Sequence, residues 1–333
     1  MFLKYYEEKH FRKSEYDQMR EKRDIILSEI QSRKDSSIPS FTPLNLGSYA
    51  LNTGVHYKSN EYDIDCGIRI AISKREINNY SAGLVKGSIY DAITGHREKK
   101  YRRKCITAIY FDEGKPAFHL DFPVFAYDAT NGTYYLADGK QGDVKWVHQE
   151  PEKLIDYLKF TSNINDAFPA QYKRIVSFLK LWKDKVFSSK PADSCPPSVG
   201  LTVETRQYFD TMRNVNEDIS ILISCANRLL NLITVNGNSY QINKILPYSP
   251  TNDNIYYKMA SDSKFVEVFK TMLVEFIDTL TQARTMQESS LENACRELRK
   301  VLPDFPMPEK EQAGRSFAPN ASYGKQLCHM NKS

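Results

Sequence analysis

An α+β fold, with a mixed and largely antiparallel sheet packed on a helical C-terminal lobe, is predicted by two patterns and one bound. Strand-like alternation is confined to the first half, where Asp63, Asp65 and Gly67 alternate with Ile64, Cys66 and Ile68. Helix-period apolar stripes fill the second half, beginning after Pro151. The bound is size: 333 residues, 41% hydrophobic and 26% charged, are ordinary for a globular protein and suit two packed lobes better than one core.

Residues 4–33 carry helix formers without Pro or Gly, and Tyr16, Met19, Ile26 and Ile30 recur at helical spacing, so one long charged helix is expected. Ser36-Ser37, Pro39 and Pro43 break it. Leu44–Leu46 leads into Gly47-Ser48, and Asn52-Thr53-Gly54 is a second turn. A strand follows from Tyr62, then a helix over 81–94. The basic segment Arg97, Lys99, Lys100, Arg102, Arg103 and Lys104 has almost no interleaved aromatics and is expected to be a solvated hairpin rim. Strands are predicted over Cys105–Phe111 and Ala117–Tyr127. The turn Asp112–Pro116 between them is too tight for anything but antiparallel neighbours.

After a polar loop holding Trp146, expected to anchor the two lobes, Pro151 opens a helix and Glu152 suits its positive end. Stripes follow at Ile175/Leu179/Trp182/Val186, at Ile219/Leu222/Ala226/Leu229, at Phe265/Phe269/Met272/Phe276 and at Leu291/Cys295/Leu298/Leu302. The expected division is 1–160 for the core with its N-terminal helix, 161–305 for the helical lobe, and 306–333 for a flexible tail rich in Pro, Gly, Ser, Lys and Asn.

No apolar run approaches the roughly 20 residues of a membrane helix, and the charged N-terminus is no secretory signal, so a cytoplasmic protein without a membrane partner is expected. The six cysteines include no CxxC pair or zinc spacing, and Cys66 reads as a small buried hydrophobe. A net charge of +5 suits an anionic ligand but is weak for a dedicated duplex binder, so stable nucleic-acid binding is not expected.

The residues that point to chemistry are Gly47-Ser48, Asp63-Ile64-Asp65 and Asp121. Strand residues i and i+2 share a face about 6.6 Å apart. Two carboxylates so placed can converge on a pair of cations held about 4 Å apart. Asp121 on a neighbouring strand adds a third. Like charges so crowded require neutralisation, and Mg²⁺ with oxygen ligands and nucleotide phosphates supplies it. Such a site suits in-line phosphoryl transfer, with Gly47 permitting close approach of backbone to phosphate and Ser48 adding donors. Each fragment alone is common; their order and strand context together are informative.

Leu46-Gly47-Ser48-Tyr49-Ala50, Glu61-Tyr62-Asp63-Ile64-Asp65 and His119-Leu120-Asp121-Phe122-Pro123-Val124 resemble the bacterial cGAS/DncV-like nucleotidyltransferases, or CD-NTases. Lys145-Trp146, Glu150-Pro151, the run Arg174 to Asp184 and Pro197-Ser198 extend the resemblance over roughly residues 40–200. It implies a polymerase-β-like nucleotidyltransferase core packed on a helical lobe, with the active site between them. Asp63, Asp65 and Asp121 would be metal-binding catalytic acids, and Gly47-Ser48 would hold the donor triphosphate. Lys180 and Ser198 would add phosphate contacts; Lys180 also lies off its helix's apolar stripe. His119 is given an orienting or packing role, because Mg²⁺ favours oxygen ligands.

The implied cofactor is two Mg²⁺ ions, with Mn²⁺ able to substitute, and the implied substrates are ribonucleoside triphosphates, with the purines ATP and GTP favoured. The implied product is a cyclic oligonucleotide second messenger, a dinucleotide foremost, acting on a downstream effector in antiphage (CBASS) defence. A ubiquitin-like conjugation system acting on the C-terminal tail is a further implied partner. Two alternatives stay open: a template-independent transferase acting on RNA, protein or a small molecule, and an inactive nucleotide-binding sensor, against which the complete acid triad argues.

Overall fold

The computed structural model describes residues 1–56, 62–94, 98–112, 115–162 and 166–309. Helix α1 (Phe2–Lys9) is followed by α2 (Lys13–Arg33), β1 (Phe41–Asn45), the short α3 (Gly47–Leu51), β2 (Tyr62–Ala71) and α4 (Ala82–Ala92). Six strands come next: β3 (Glu98–Tyr101), β4 (Ile106–Asp112), β5 (Lys115–Phe122), β6 (Val124–Asp128), β7 (Thr133–Lys140) and β8 (Asp143–Gln149). The remainder is helical apart from one hairpin: α5 (Pro151–Leu158), α6 (Ala167–Phe187), α7 (Ser198–Thr211), α8 (Asp218–Asn231), β9 (Ile233–Asn236), β10 (Ser239–Ile242), α9 (Ser263–Met286) and α10 (Leu291–Leu298).

The expected single N-terminal helix is two. Residues 10–12 break it because the backbone there pairs with a distant segment. His10 bridges Val55, the Phe11 amide donates to the Gly54 carbonyl at 3.3 Å, and the His56 amide donates to the Lys9 carbonyl at 2.8 Å. Good local propensity yields to tertiary hydrogen bonds. Helix α1 then leaves the sheet and joins the helical side. Phe2 and Tyr5 lie 5.5 and 5.6 Å from Phe178, and the Tyr5 hydroxyl donates to the Pro303 carbonyl at 2.8 Å.

The expected strand 117–127 is also two, β5 and β6, divided at Pro123. Proline has no N–H to continue a ladder, but its carbonyl accepts from the Ile68 amide at 2.8 Å. The division lets the two pieces pair with successive parts of β2, Tyr62–Asp65 with β5 and Ile68–Ala71 with β6, both parallel. The resulting eight-stranded mixed sheet runs β3-β4-β5-β2-β6-β7-β8, with β1 also pairing β2. The other pairings, including the predicted β4–β5 hairpin, are antiparallel.

Two apolar cores result. The first sets Met19, Ile26 and Ile30 of α2 and Val85 and Ile89 of α4 against the sheet residues Ile64, Ile68, Leu120 and Val124; Cys66 is buried among them. The second gathers around α6, which is buried on nearly every side because α1, α7 and α8 pack on it. Trp182 there stacks on Phe276 at 4.7 Å and 20°. The last helix is followed by further packed chain, with Val301, Leu302 and Phe305 buried and Met307 against the same core. The expected tail, 306–333, therefore begins inside the packed region, and its residues 310–333 lie outside the described ones.

Trp146 corrects another expectation. Its indole nitrogen donates to the Tyr80 carbonyl at 2.7 Å and its ring packs on the first core, so it fastens β8 to the segment that leads into α4 rather than to the helical lobe. The basic run is only partly a solvated rim: Lys99 donates to the carbonyls of Tyr90 and Ile93 at 2.8 and 3.0 Å, closing the C-terminal end of α4. Arg103 pairs with Asp138 at 2.6 Å, and Arg97 lies outside the described residues. Among the described residues no helix is long and apolar enough to cross a membrane.

Candidate active site

Register brings the acids together. On the parallel β2–β5 ladder Asp65 stands opposite Asp121, and Asp63 opposite His119. Residues two apart on each strand share a face, so Asp63, Asp65, His119 and Asp121 occupy one patch of the sheet. One carboxylate oxygen from each Asp lies within 4.8 Å of the others. His119 is thus a neighbour of Asp63 across the ladder.

The triad is electrostatically strained. The Asp65 carboxyl is pushed up to about 6, by burial first and then by the Asp121 charge, while Lys180 opposes the shift. Asp63 is raised well above the usual carboxylate range by enclosure, then by Asp65 and Asp121. Its side chain nevertheless opens on solvent, so repulsion from its two neighbours is the firmer cause. Hard carboxylate oxygens gathered this closely are the donor set a divalent ion such as Mg²⁺ or Mn²⁺ requires. The three residues fit such an ion.

Gly47 stands beside this patch for a reason the sequence alone did not reveal. Its φ is +56°, and a Cβ there would lie 1.8 Å from Asp65 Oδ2. Any side chain would collide with a carboxylate of the triad. The Leu46 amide donates to the Asp65 carbonyl at 2.9 Å, which ties the Gly47-Ser48 turn to β2.

The helical lobe supplies the cations. Lys180 projects from α6 and is buried, at 8% exposure, rather than open on a cleft. Its Nζ donates to the Thr53 carbonyl at 2.9 Å and hydroxyl at 3.1 Å. Burial and the nearby Lys183 lower it to about 8, opposed by Asp184, Asp65 and Asp63. Ser198 opens α7 and accepts from Lys183 Nζ at 2.9 Å.

Sequence reasoning missed three residues here. Lys183, one helical turn beyond Lys180, could have been found by extending the i, i+3 spacing; its charge reaches Asp63. Thr53, fully buried under Lys180, is 127 residues away in the chain. Thr107 donates to Asp121 across the β4–β5 ladder.

No family model matches the chain, and no curated protein sequence does. Solved structures do. The Vibrio cholerae DncV cyclic AMP-GMP synthase, in complex with the linear intermediate pppA(3′,5′)pG, superposes with a TM-score of 0.65 over 89% of this chain and 92% of its own, at 14% identity. The Bradyrhizobium diazoefficiens CD-NTase CdnG, in complex with GTP, does so with a TM-score of 0.66 over 89% and 92% at 13% identity. A 3′-deoxy-GTP-bound Escherichia coli DncV gives 0.66 over the same shares at 12%. The chain has the fold of these bacterial cGAS-like nucleotidyltransferases along about nine-tenths of its length.

Proposed function

We propose that this protein is a nucleotidyltransferase that joins ribonucleoside triphosphates into a cyclic oligonucleotide, a cyclic dinucleotide foremost. The observation that carries this reading is the carboxylate triad Asp63, Asp65 and Asp121, set on adjacent strands of a DncV-like fold and faced by Lys180 and Lys183.

In this reading Asp63, Asp65 and Asp121 would hold two divalent ions, which when bound neutralise the triphosphate and lower the pKa of the attacking ribose hydroxyl. Asp121 orients that hydroxyl and takes up its proton. The Gly47-Ser48 turn presents backbone and hydroxyl donors beside Asp65, where the donor triphosphate sits. Lys183 and Ser198, hydrogen-bonded to each other, would contact the phosphates, and Lys180, buried on Thr53, would add its charge from behind them. Transfer occurs twice, each time with loss of pyrophosphate: once to make a linear intermediate that keeps its own 5′-triphosphate, and once, after it turns round, to close the ring at that triphosphate. DncV's crystallised intermediate supports this order. The division into a core over 1–160 and a helical lobe over 161–305 belongs to the same reading, as do purine substrates, an effector that senses the product, a role in antiphage signalling and a conjugatable tail.

Incubation with the four labelled triphosphates and Mg²⁺ or Mn²⁺ tests it. A product resistant to phosphatase is expected, since cyclisation leaves no terminal phosphate. Only linear, phosphatase-sensitive material, or label transferred to added RNA, would overturn the cyclase assignment.

A further inference from the structure

We infer that Thr107 is the positioning residue for Asp121, holding one of its carboxylate oxygens so that the other is aimed at a divalent cation. This rests on the proposed role of the triad as a cation site, not on the cyclase reaction.

Two rows of side chains cross the sheet at the site. One runs Thr107, Asp121, Asp65 over β4, β5 and β2; the row beside it runs Ile109, His119, Asp63. In the first row Asp121 has a like charge on one side and the Thr107 hydroxyl on the other. Thr107 Oγ1 lies 2.5 Å from Asp121 Oδ1 and the residue is 4% exposed, so little water competes for the contact. An ionised carboxylate only accepts, so the one hydroxyl proton goes to Asp121. Behind it the Cys105 Sγ lies 3.8 Å from Thr107 Oγ1. The hydroxyl thus sits between that sulfur and the Asp121 carboxylate.

The geometry does two things. It gives Asp121 Oδ1 a short, charge-assisted partner. It also fixes Asp121 Oδ1 on the side away from Asp65, where repulsion already directs it, so the carboxylate keeps one orientation. Thr107 is also a good strand former, and a purely structural threonine there would be replaced by valine without consequence. That contrast defines the test.

The experiment measures Mn²⁺ binding to the full-length protein by the EPR signal of free Mn²⁺, with no nucleotide present, for wild type, Thr107→Val, Thr107→Ser and Asp121→Asn. Removing a hydrogen-bond partner behind a metal ligand costs roughly 10- to 100-fold in metal affinity. Thr107→Val is expected to weaken Mn²⁺ by that factor with an unchanged melting temperature, Thr107→Ser to stay within about threefold of wild type, and Asp121→Asn to weaken it at least as much as valine. Wild-type affinity in Thr107→Val, or equal weakening in valine and serine, would overturn the inference, as would no Mn²⁺ binding by wild type. A protein that shows the expected series but makes no cyclic product keeps Thr107's role and loses the cyclase assignment.

Discussion

Two acidic sites in this molecule, one buried and one partly open to solvent, are built on opposite rules. In the helical lobe Glu204 of α7 is 2% exposed, and Lys244 and Arg228 approach its two oxygens at 2.7 and 3.4 Å. On the sheet three aspartates crowd within 4.8 Å, and no described ion pair joins any of them to a cation. A buried charge is tolerated when it is paired, and Glu204 obeys that rule. The triad instead sets like charges side by side, and Lys180 nearby donates to Thr53. Burial of charge therefore does not mark function here. What sets the triad apart is like charge gathered on a patch that solvent can reach, the arrangement the proposed cation site needs.

The sharpest way to break that contrast is to neutralise each site. Asp63→Asn, Asp65→Asn and Asp121→Asn are each expected to lower nucleotide incorporation by at least about 10³-fold, as loss of a cation ligand would. Their metal-free melting temperatures should hold or rise, since repulsion is relieved. Near-wild-type turnover of Asp121→Asn would remove the triad from the chemistry. Next come Lys180 and the turn. Lys180→Met and Ser48→Ala are expected to reduce kcat/KM by about 10- to 100-fold, each removing one charge or donor among several beside the triphosphate. Steady-state kinetics indistinguishable from wild type in Lys180→Met would make that lysine a structural tie to Thr53 alone.

Glu204→Gln is the mirror experiment. It leaves Lys244 and Arg228 without their anion, and because both cations keep some solvent contact the expected cost is about 1–3 kcal/mol. Thermal denaturation should show a lower melting temperature while activity at 25 °C changes little; a stabilised variant would mean the pair is not compensating. The smallest effect is on pH. Asp63 and Asp65 are both raised above the usual carboxylate range, Asp65 to about 6. The fold disfavours their ionised forms, so stability is withdrawn as pH rises through that window and regained as it falls. Acidifying the metal-free protein from about pH 7 to 5.5 should raise its melting temperature by about 1–2 °C relative to Asp65→Asn. No difference between the two would mean that repulsion in the triad is already relieved.

What was legible in the sequence follows from how local each signal is. Alternation around Asp63 and Asp65 placed both on one face of a strand, and the tight turn 112–116 made β4 and β5 antiparallel neighbours, because strand period and turn geometry are written in adjacent residues. The stripes of α6, α8, α9 and α10 were readable for the same reason. Position 123 also carried its own warning, since a proline cannot sit inside a continuous ladder, yet the strand was read through it.

Other features had no local trace. Nothing near residue 10 shows that its backbone will bridge Val55 and split the first helix, and helix propensity argued the other way. Nor does anything near Trp146 name Tyr80 as its partner. Gly47 was legible as a turn, but its need to be glycine comes from Asp65, which only pairing of β1 and β2 and the Leu46–Asp65 bond bring against it. Lys180 looked like a cleft lysine and is buried on Thr53; Thr107 looked like any strand threonine and holds Asp121. Sequence by itself determined which residues lie on which face of each element, because that depends on backbone period. Only the tertiary structure decided which faces meet, because a hydrogen bond or a charge acts across a few ångströms of space regardless of the number of residues between its ends.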